Sequence, residues 1–223
     1  MPDGGLRVGV LASGRGSNLK AILDASESKK IDASVKVVIS NKSASRALEL
    51  ARENGVPAVH LDPKGFADRA AYDAETARVL NQYEVELVVL AGYMRIVGKA
   101  LIEPFEDRII NIHPSLLPAF PGMAAQEQAL EWGARISGCT VHMVDETLDQ
   151  GVILIQAAVP VLEGDTPGDL ESRILAQEHR ILPQAIQFFA ERRVTRKGRR
   201  VILENSKMDF RSPLISPNLE AGL

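Results

Sequence analysis

Cysteine is almost missing from this sequence: Cys139 is the single one in 223 residues. An intramolecular disulfide framework is therefore excluded. There is no basic excess either. Lys and Arg number 26 against 29 Asp and Glu, a formal net charge of -3, whereas a general nucleic-acid binder would show a basic stripe. No apolar run reaches the length of a membrane span. The start, Met1-Pro2-Asp3-Gly4-Gly5, lacks the basic residues and apolar core of a signal peptide. Internal repeats and low-complexity tracts are not seen. The four histidines are scattered without zinc-ligand spacing, so no metal site is expected. These absences leave the expectation of a soluble cytoplasmic protein of about one domain, long enough to bury a substantial core.

What is present is an alternation of short apolar runs with helical periodicities. Residues 7–12 read as a buried strand. Ser13-Gly14-Arg15-Gly16-Ser17-Asn18 follows, then Leu19, Ala21, Ile22 and Leu23 at helical spacing. Strand, glycine-rich turn and helix together suit a phosphate, because small residues let backbone approach a ligand at the positive helix end. Ser17 or Asn18 is expected to cap the helix. The pattern is neither a dinucleotide fingerprint, which wants glycine where Leu19 stands, nor a P-loop. On its own it reads equally as a tight turn with a capped helix.

Strands are expected at 35–39, 56–61 and 85–90, and helices at 43–54, ended by Gly55, and 66–83. Arg69 on the latter reads by itself as a solvated charge. The alternation predicts a mostly parallel sheet flanked by helices. The second half changes character. A helix is expected at 122–132. Strands at 137–144 and 151–162 are expected to pair antiparallel across Asp145-Glu146-Thr147-Leu148-Asp149-Gln150, acids that also suit a solvated turn. A long helix from 165–167 to about 192 carries Glu178 and His179, which alone read as a helix-face pair. A small hairpin around Arg196-Lys197-Gly198-Arg199 ends the ordered part, with a tail at 206–223.

The most informative stretch is Asn111-Ile112-His113-Pro114-Ser115-Leu116-Leu117-Pro118. Alternation puts Asn111 and His113 on one face of a strand. Pro114 has no amide hydrogen, so the strand stops at His113. An amide and an imidazole then stand together at a strand end, where open parallel sheets bind ligands. Alone, this His also reads as a buried, hydrogen-bonded turn residue.

Taken together, the 13–19 loop, Ala91-Gly92-Tyr93-Met94-Arg95-Ile96, the 111–118 stretch and Leu148-Asp149-Gln150-Gly151 resemble the glycinamide ribonucleotide formyltransferases. The resemblance runs from about residue 6 to about 203. The His-Pro-Ser-Leu-Leu-Pro segment alone is shared with methionyl-tRNA formyltransferases and formyltetrahydrofolate hydrolases; the Gly-Ser-Asn-Leu loop narrows the choice. The resemblance implies a Rossmann-like α/β formyltransferase fold, one domain over 1–205, its N-terminal half binding ribonucleotide phosphate and its C-terminal half folate. It implies formyl transfer from 10-formyltetrahydrofolate to the amine of 5-phosphoribosylglycinamide, by a monomer or homodimer without metal. The catalytic trio falls on Asn111, His113 and Asp149. Substrate binding falls on Gly16, Ser17, Asn18 and Glu178, and folate binding on Arg69, Met94, Arg95, Ile96, Val97 and Val144. Two positions depart from the family pattern: Gln150, where a second glycine is common, and Gln126, where a histidine is common. A non-catalytic nucleotide-binding module is the competing class, and it has no need of the trio.

The chemistry expected of the trio follows from charge. An amine attacking a formyl carbon leaves an oxyanion, which Asn111 and His113 can stabilise as donors. An ordinary His titrates near ~6.5. A close carboxylate favours its charged form, and Asp149 is the candidate.

Overall fold

The computed structural model describes residues 5–205, so the expected 206–223 tail lies outside the described residues. In chain order the elements are β1 (Leu6–Leu11), α1 (Ser17–Glu27), β2 (Ala33–Ser40), α2 (Arg46–Glu53), β3 (Ala58–His60), α3 (Arg69–Gln82), β4 (Leu87–Leu90) and α4 (Lys99–Ile102). They continue with β5 (Ile109–His113), α5 (Ala125–Glu131), β6 (Ile136–Met143), β7 (Ile153–Pro160), α6 (Pro167–Ala190), β8 (Val194–Lys197) and β9 (Arg200–Leu203).

Seven strands form one sheet in the order β3-β2-β1-β4-β5-β6-β7, and β8-β9 is a separate ribbon. The first five strands pair in parallel. β6 runs antiparallel to β5, and β7 to β6. This is the expected Rossmann-like, mostly parallel sheet with antiparallel strands in the C-terminal half. The strands read as continuous apolar runs because both faces are covered. Val8, Val10, Leu87, Val89, Ile110 and Ile112 join the core under α1 and α6. Their sequence neighbours Leu11, Val88, Leu90 and Ile109 join the core under α3 and α4.

From β1 the chain winds to β2 and β3 on one side, then returns to β4 on the other, leaving a crevice at the β1 and β4 carboxyl ends. Ser13 stitches that crevice. Its amide donates to the Gly92 carbonyl at 3.1 Å. Its hydroxyl accepts from the Met94 amide at 2.9 Å and donates to Asn41 Oδ1 at 2.6 Å.

Several boundaries differ from expectation. α3 starts at Arg69 rather than 66, because Asp68 caps it by accepting from the Ala71 amide at 2.8 Å. α5 is confined to Ala125–Glu131, and the short helix α4 was not expected. Neither Ser17 nor Asn18 caps α1. Both lie inside it, and Gly16, at φ 76, is the N-cap without any side-chain bond. The Asn18 amide is engaged elsewhere, with Glu178.

Candidate active site

β5 ends at His113, next to β6, with Asn111 opposite His142 and His113 opposite Thr140. Residues two apart share a face, so Asn111, His113 and His142 converge. His113 is buried. Its Nδ1 lies 3.4 Å from Asp149 Oδ2, and its Nε2 donates to the Phe120 carbonyl at 2.8 Å. A ring protonated on both nitrogens satisfies both oxygens. A ring protonated on Nε2 alone turns a lone pair toward the carboxylate.

Asp149 comes from the loop between β6 and β7 and sits at φ 52. Aspartate is among the few side chains that tolerate this left-handed conformation. The loop closes tightly because Gly151 backs onto β6: a Cβ there would stand 1.7 Å from the Met143 carbonyl oxygen. The Asp149 carboxylate accepts from the Gly122 amide at 2.8 Å and lies 3.6 Å from His142 Nε2. Burial pushes its carboxyl up, but His142, the Gly122 amide and the charge of His113 together outweigh burial and hold it below the usual carboxylate range.

His142 is the member of this cluster that sequence reasoning missed. Its Nδ1 donates to the Met143 carbonyl at 2.9 Å, and its Nε2 lies 3.2 Å from Asn111 Nδ2 and 3.6 Å from Asp149 Oδ1: a neutral ring accepts there from Asn111, and a charged ring donates to Asp149. Asn111 is thereby oriented, and its second amide hydrogen has no partner among the described residues. The strand alternation Thr140-Val141-His142 was the available signal.

The glycine-rich turn lies at the neighbouring β1 end. A Cβ on Gly16 would come within 2.9 Å of Leu50 and 3.0 Å of Ala47, so α2 packs directly against this backbone. The Gly14 carbonyl accepts from the Ala47 amide at 3.3 Å and the Ser45 hydroxyl at 3.2 Å. With no side chain capping α1, its first-turn amides form an anion-receptive end. Asn18 Nδ2 donates to Glu178 Oε2 at 2.7 Å, tying this turn to α6. Glu178 is only 6% exposed. Burial raises its carboxyl above the usual range, although the Asn18 bond pulls the other way.

Beyond β4 the chain presents Met94 and Ile96, 65% and 51% exposed, while Val97 is buried at 4%. Half-buried Val144 packs into the core under α3 and α4, so these two valines offer backbone more than side chain. The Arg95 guanidinium lies 4.7 Å over the Tyr72 ring. Arg69 is exposed and lines a cleft of 320 Å³ with Asp73, Gly98, Lys99 and Glu146. A larger groove of 680 Å³ runs between α1 and α6, touches Ser17, and includes none of the trio. No group of three or more His, Cys, Asp or Glu able to hold a metal ion occurs among the described residues.

Residues 6–186 match the formyl transferase family. The chain belongs to that family. It is 43% identical over 189 residues to the phosphoribosylglycinamide formyltransferase of Escherichia coli, covering 85% of this chain and 89% of that one. It is 47% identical over 182 residues to the trifunctional purine biosynthetic protein adenosine-3 of Drosophila melanogaster. That match covers 81% of this chain but only 14% of the much longer fly protein. A crystal structure of glycinamide ribonucleotide transformylase 1 from Symbiobacterium toebii superposes with a TM-score of 0.88 at 55% identity, covering 89% of this chain and 93% of that one.

Within this formyl transferase, the tertiary fold brings Asn111, His113 and Asp149 together, joins Asn18 to Glu178, and sets Arg69 and Arg95 on the Tyr72–Asp73 face of α3. Gln126 is half-buried on α5, and Gln150 follows Asp149 at an exposed position.

Proposed function

We propose that this chain transfers the formyl group of 10-formyltetrahydrofolate to the amine of 5-phosphoribosylglycinamide, a step of de novo purine synthesis. One observation carries the reading: Asn111, His113 and Asp149 meet at the end of β5. That end is reached from the anion-receptive α1 terminus, through β1 and β4, and from the exposed apolar wall at 94–96.

The ribonucleotide phosphate rests on the amides of Gly16, Ser17 and Asn18. Glu178 takes the ribose hydroxyls, and its bond to Asn18 keeps the two contacts in register. The donor lies against Met94–Val97 and the loop from Val144 to Asp149, drawing on both halves of the single domain at 1–205. The residues fit such a molecule: Met94 and Ile96 offer apolar surface to a flat heterocycle, and Arg69 or Arg95 suits the carboxylates of its glutamate tail.

The amine nitrogen attacks the formyl carbon, a C–N bond forms, and the carbonyl electrons move onto oxygen. Asn111, through its second amide hydrogen, and His113, through Nε2–H, donate to that oxygen. His113 exchanges the Phe120 carbonyl for the substrate oxygen in doing so. Asp149, 3.4 Å from Nδ1, orients the imidazole and faces the positive charge that develops on it. The amine proton passes to the departing folate nitrogen by way of water and the His113–Asp149 pair, and the old C–N bond breaks. Preorganised donors of this kind lower the barrier by about 3–4 kcal/mol each.

The test is steady-state turnover with both substrates, followed by the absorbance change of the folate. Product formation is expected only when both are present. Turnover of the donor by water alone, unaffected by ribonucleotide, would instead favour a formyl-folate hydrolase. Binding of ribonucleotide without turnover would favour a non-catalytic module.

A further inference from the structure

Asp73 is a buried carboxylate that the proposed reaction does not use. It lies on α3 at 3% exposure. Its Oδ2 accepts from the Gly98 amide at 2.7 Å. A Cβ on Gly98 would meet that same oxygen at 3.0 Å and Arg69 Nε at 3.4 Å, so carboxylate and guanidinium crowd one peptide.

The neighbouring side chains act on the same segment. Tyr72 supplies the ring beneath Arg95, and its hydroxyl lies 3.0 Å from that of Tyr93. Arg69, Tyr72 and Asp73 stand at i, i+3 and i+4, one face of one helix. That face holds residues 93–98 at three points: Tyr93, Arg95 and Gly98. The exposed residues Met94 and Ile96 alternate with the held ones. Burial pushes the Asp73 carboxyl up, opposed by the Gly98 amide and the charges of Arg69 and Arg95. A carboxylate kept in such a place is retained at a cost unless its partners need it.

We infer that Asp73 is a positioning residue for the formyl donor: by holding the Gly98 amide beside Arg69, it fixes the 94–98 wall and with it the placement of Arg69 and Arg95 toward an anionic tail. This rests on the donor reading above.

The experiment compares Asp73→Ala and Asp73→Asn in the full chain. Asp73→Ala is expected to raise KM for 10-formyltetrahydrofolate about tenfold, the scale of one lost hydrogen bond to a charged group. KM for the ribonucleotide and kcat at saturation should stay near the parent values. Asp73→Asn keeps an oxygen for the Gly98 amide and should restore most of the donor KM. Hydrogen exchange, which needs no substrate, should show the Gly98 amide released in Asp73→Ala and protected in Asp73→Asn. Equal rises in both KM values, or an Asn variant no better than Ala, would overturn the inference, as would an unchanged Gly98 exchange rate. If Asp73→Ala does not fold, the Asn variant and Tyr72→Phe carry the test: donor KM should rise modestly in Tyr72→Phe with ribonucleotide KM unchanged, and equal changes in both overturn it. Failure of the donor reading is separable, since the parent protein would then bind no formyl-folate while the exchange result still reports the grip.

Discussion

Two loops of this site work by opposite means. The 13–18 turn offers backbone: small residues, a left-handed glycine and an uncapped helix end. The loop from Val144 to Gly151 offers one side chain, Asp149, held by two imidazoles and an amide contributed by β5, β6 and the turn at Gly122. Backbone recognition needs only local geometry and tolerates nothing larger at Gly16. Side-chain chemistry needs four distant segments to agree on one carboxylate. The first can be broken by adding an atom, the second by removing a charge.

The largest effect is expected where the charge is removed. Asp149→Asn should lower kcat by roughly 10²–10³, the usual loss when an oxyanion donor is disabled, with both KM values little changed. His113→Ala should cost at least as much. The double variant should fall far short of the product, because the two act as one unit. Clean multiplication in steady-state rates would mean that Asp149 only shapes its loop. The carboxyl of Asp149 lies below its unfolded value, so its contribution is complete above the ordinary carboxylate range near ~3.9 and is lost as pH falls through the folded value. Parent and Asp149→Asn melting curves should therefore converge in acid.

Gly151→Ala sharpens the comparison from the other side, by adding an atom to the side-chain loop. Its Cβ would overlap the Met143 carbonyl oxygen. Either strand or loop must shift, at a cost of about 1–3 kcal/mol. A lowered melting temperature and a lowered kcat should appear together. An unchanged melting temperature would show that the loop is looser than its contacts imply.

Gly16→Ala makes the same insertion in the backbone loop. Contacts of 2.9 and 3.0 Å with α2, at φ 76, should push the turn off its position. KM for the ribonucleotide should rise about tenfold, the scale of one lost charge-assisted hydrogen bond, while KM for the folate stays put. Equal rises would place the phosphate elsewhere.

The smallest effect on stability, and one of opposite sign, is expected at Glu178. Its carboxyl is raised by burial, so the folded state loses stability as pH rises from the ordinary Glu value of about 4.3 through the raised one. Glu178→Gln keeps an oxygen for Asn18 and removes that penalty. It should melt slightly higher than the parent at neutral pH, yet bind ribonucleotide less well. A lower melting temperature there would mean that the charged form is stabilised by more than Asn18.

Much of this was legible along the chain. The apolar run 85–90 announced a buried strand, and Pro114 marked where β5 must stop, since no ladder hydrogen bond can continue through it. The spacing of Asn111 and His113 fixed a shared face. Capping was read less well: Asp68 set the start of α3, and Asn18 gave up any capping role to Glu178, 160 residues away. The short α4 has too few residues for periodicity to announce it.

The sequence by itself determined local geometry: which runs are strands, where glycine must bend the backbone, and where proline ends a ladder. These follow from sterics within a few residues. Only the tertiary structure decided that Asp149 sits between two histidines, that His142 orients Asn111, and that Asp73 grips Gly98. Each of those depends on the register of strands and the docking of a helix from remote parts of the chain. Burial then sets their charge, since a carboxylate is shifted by the partners that surround it and not by its neighbours in sequence.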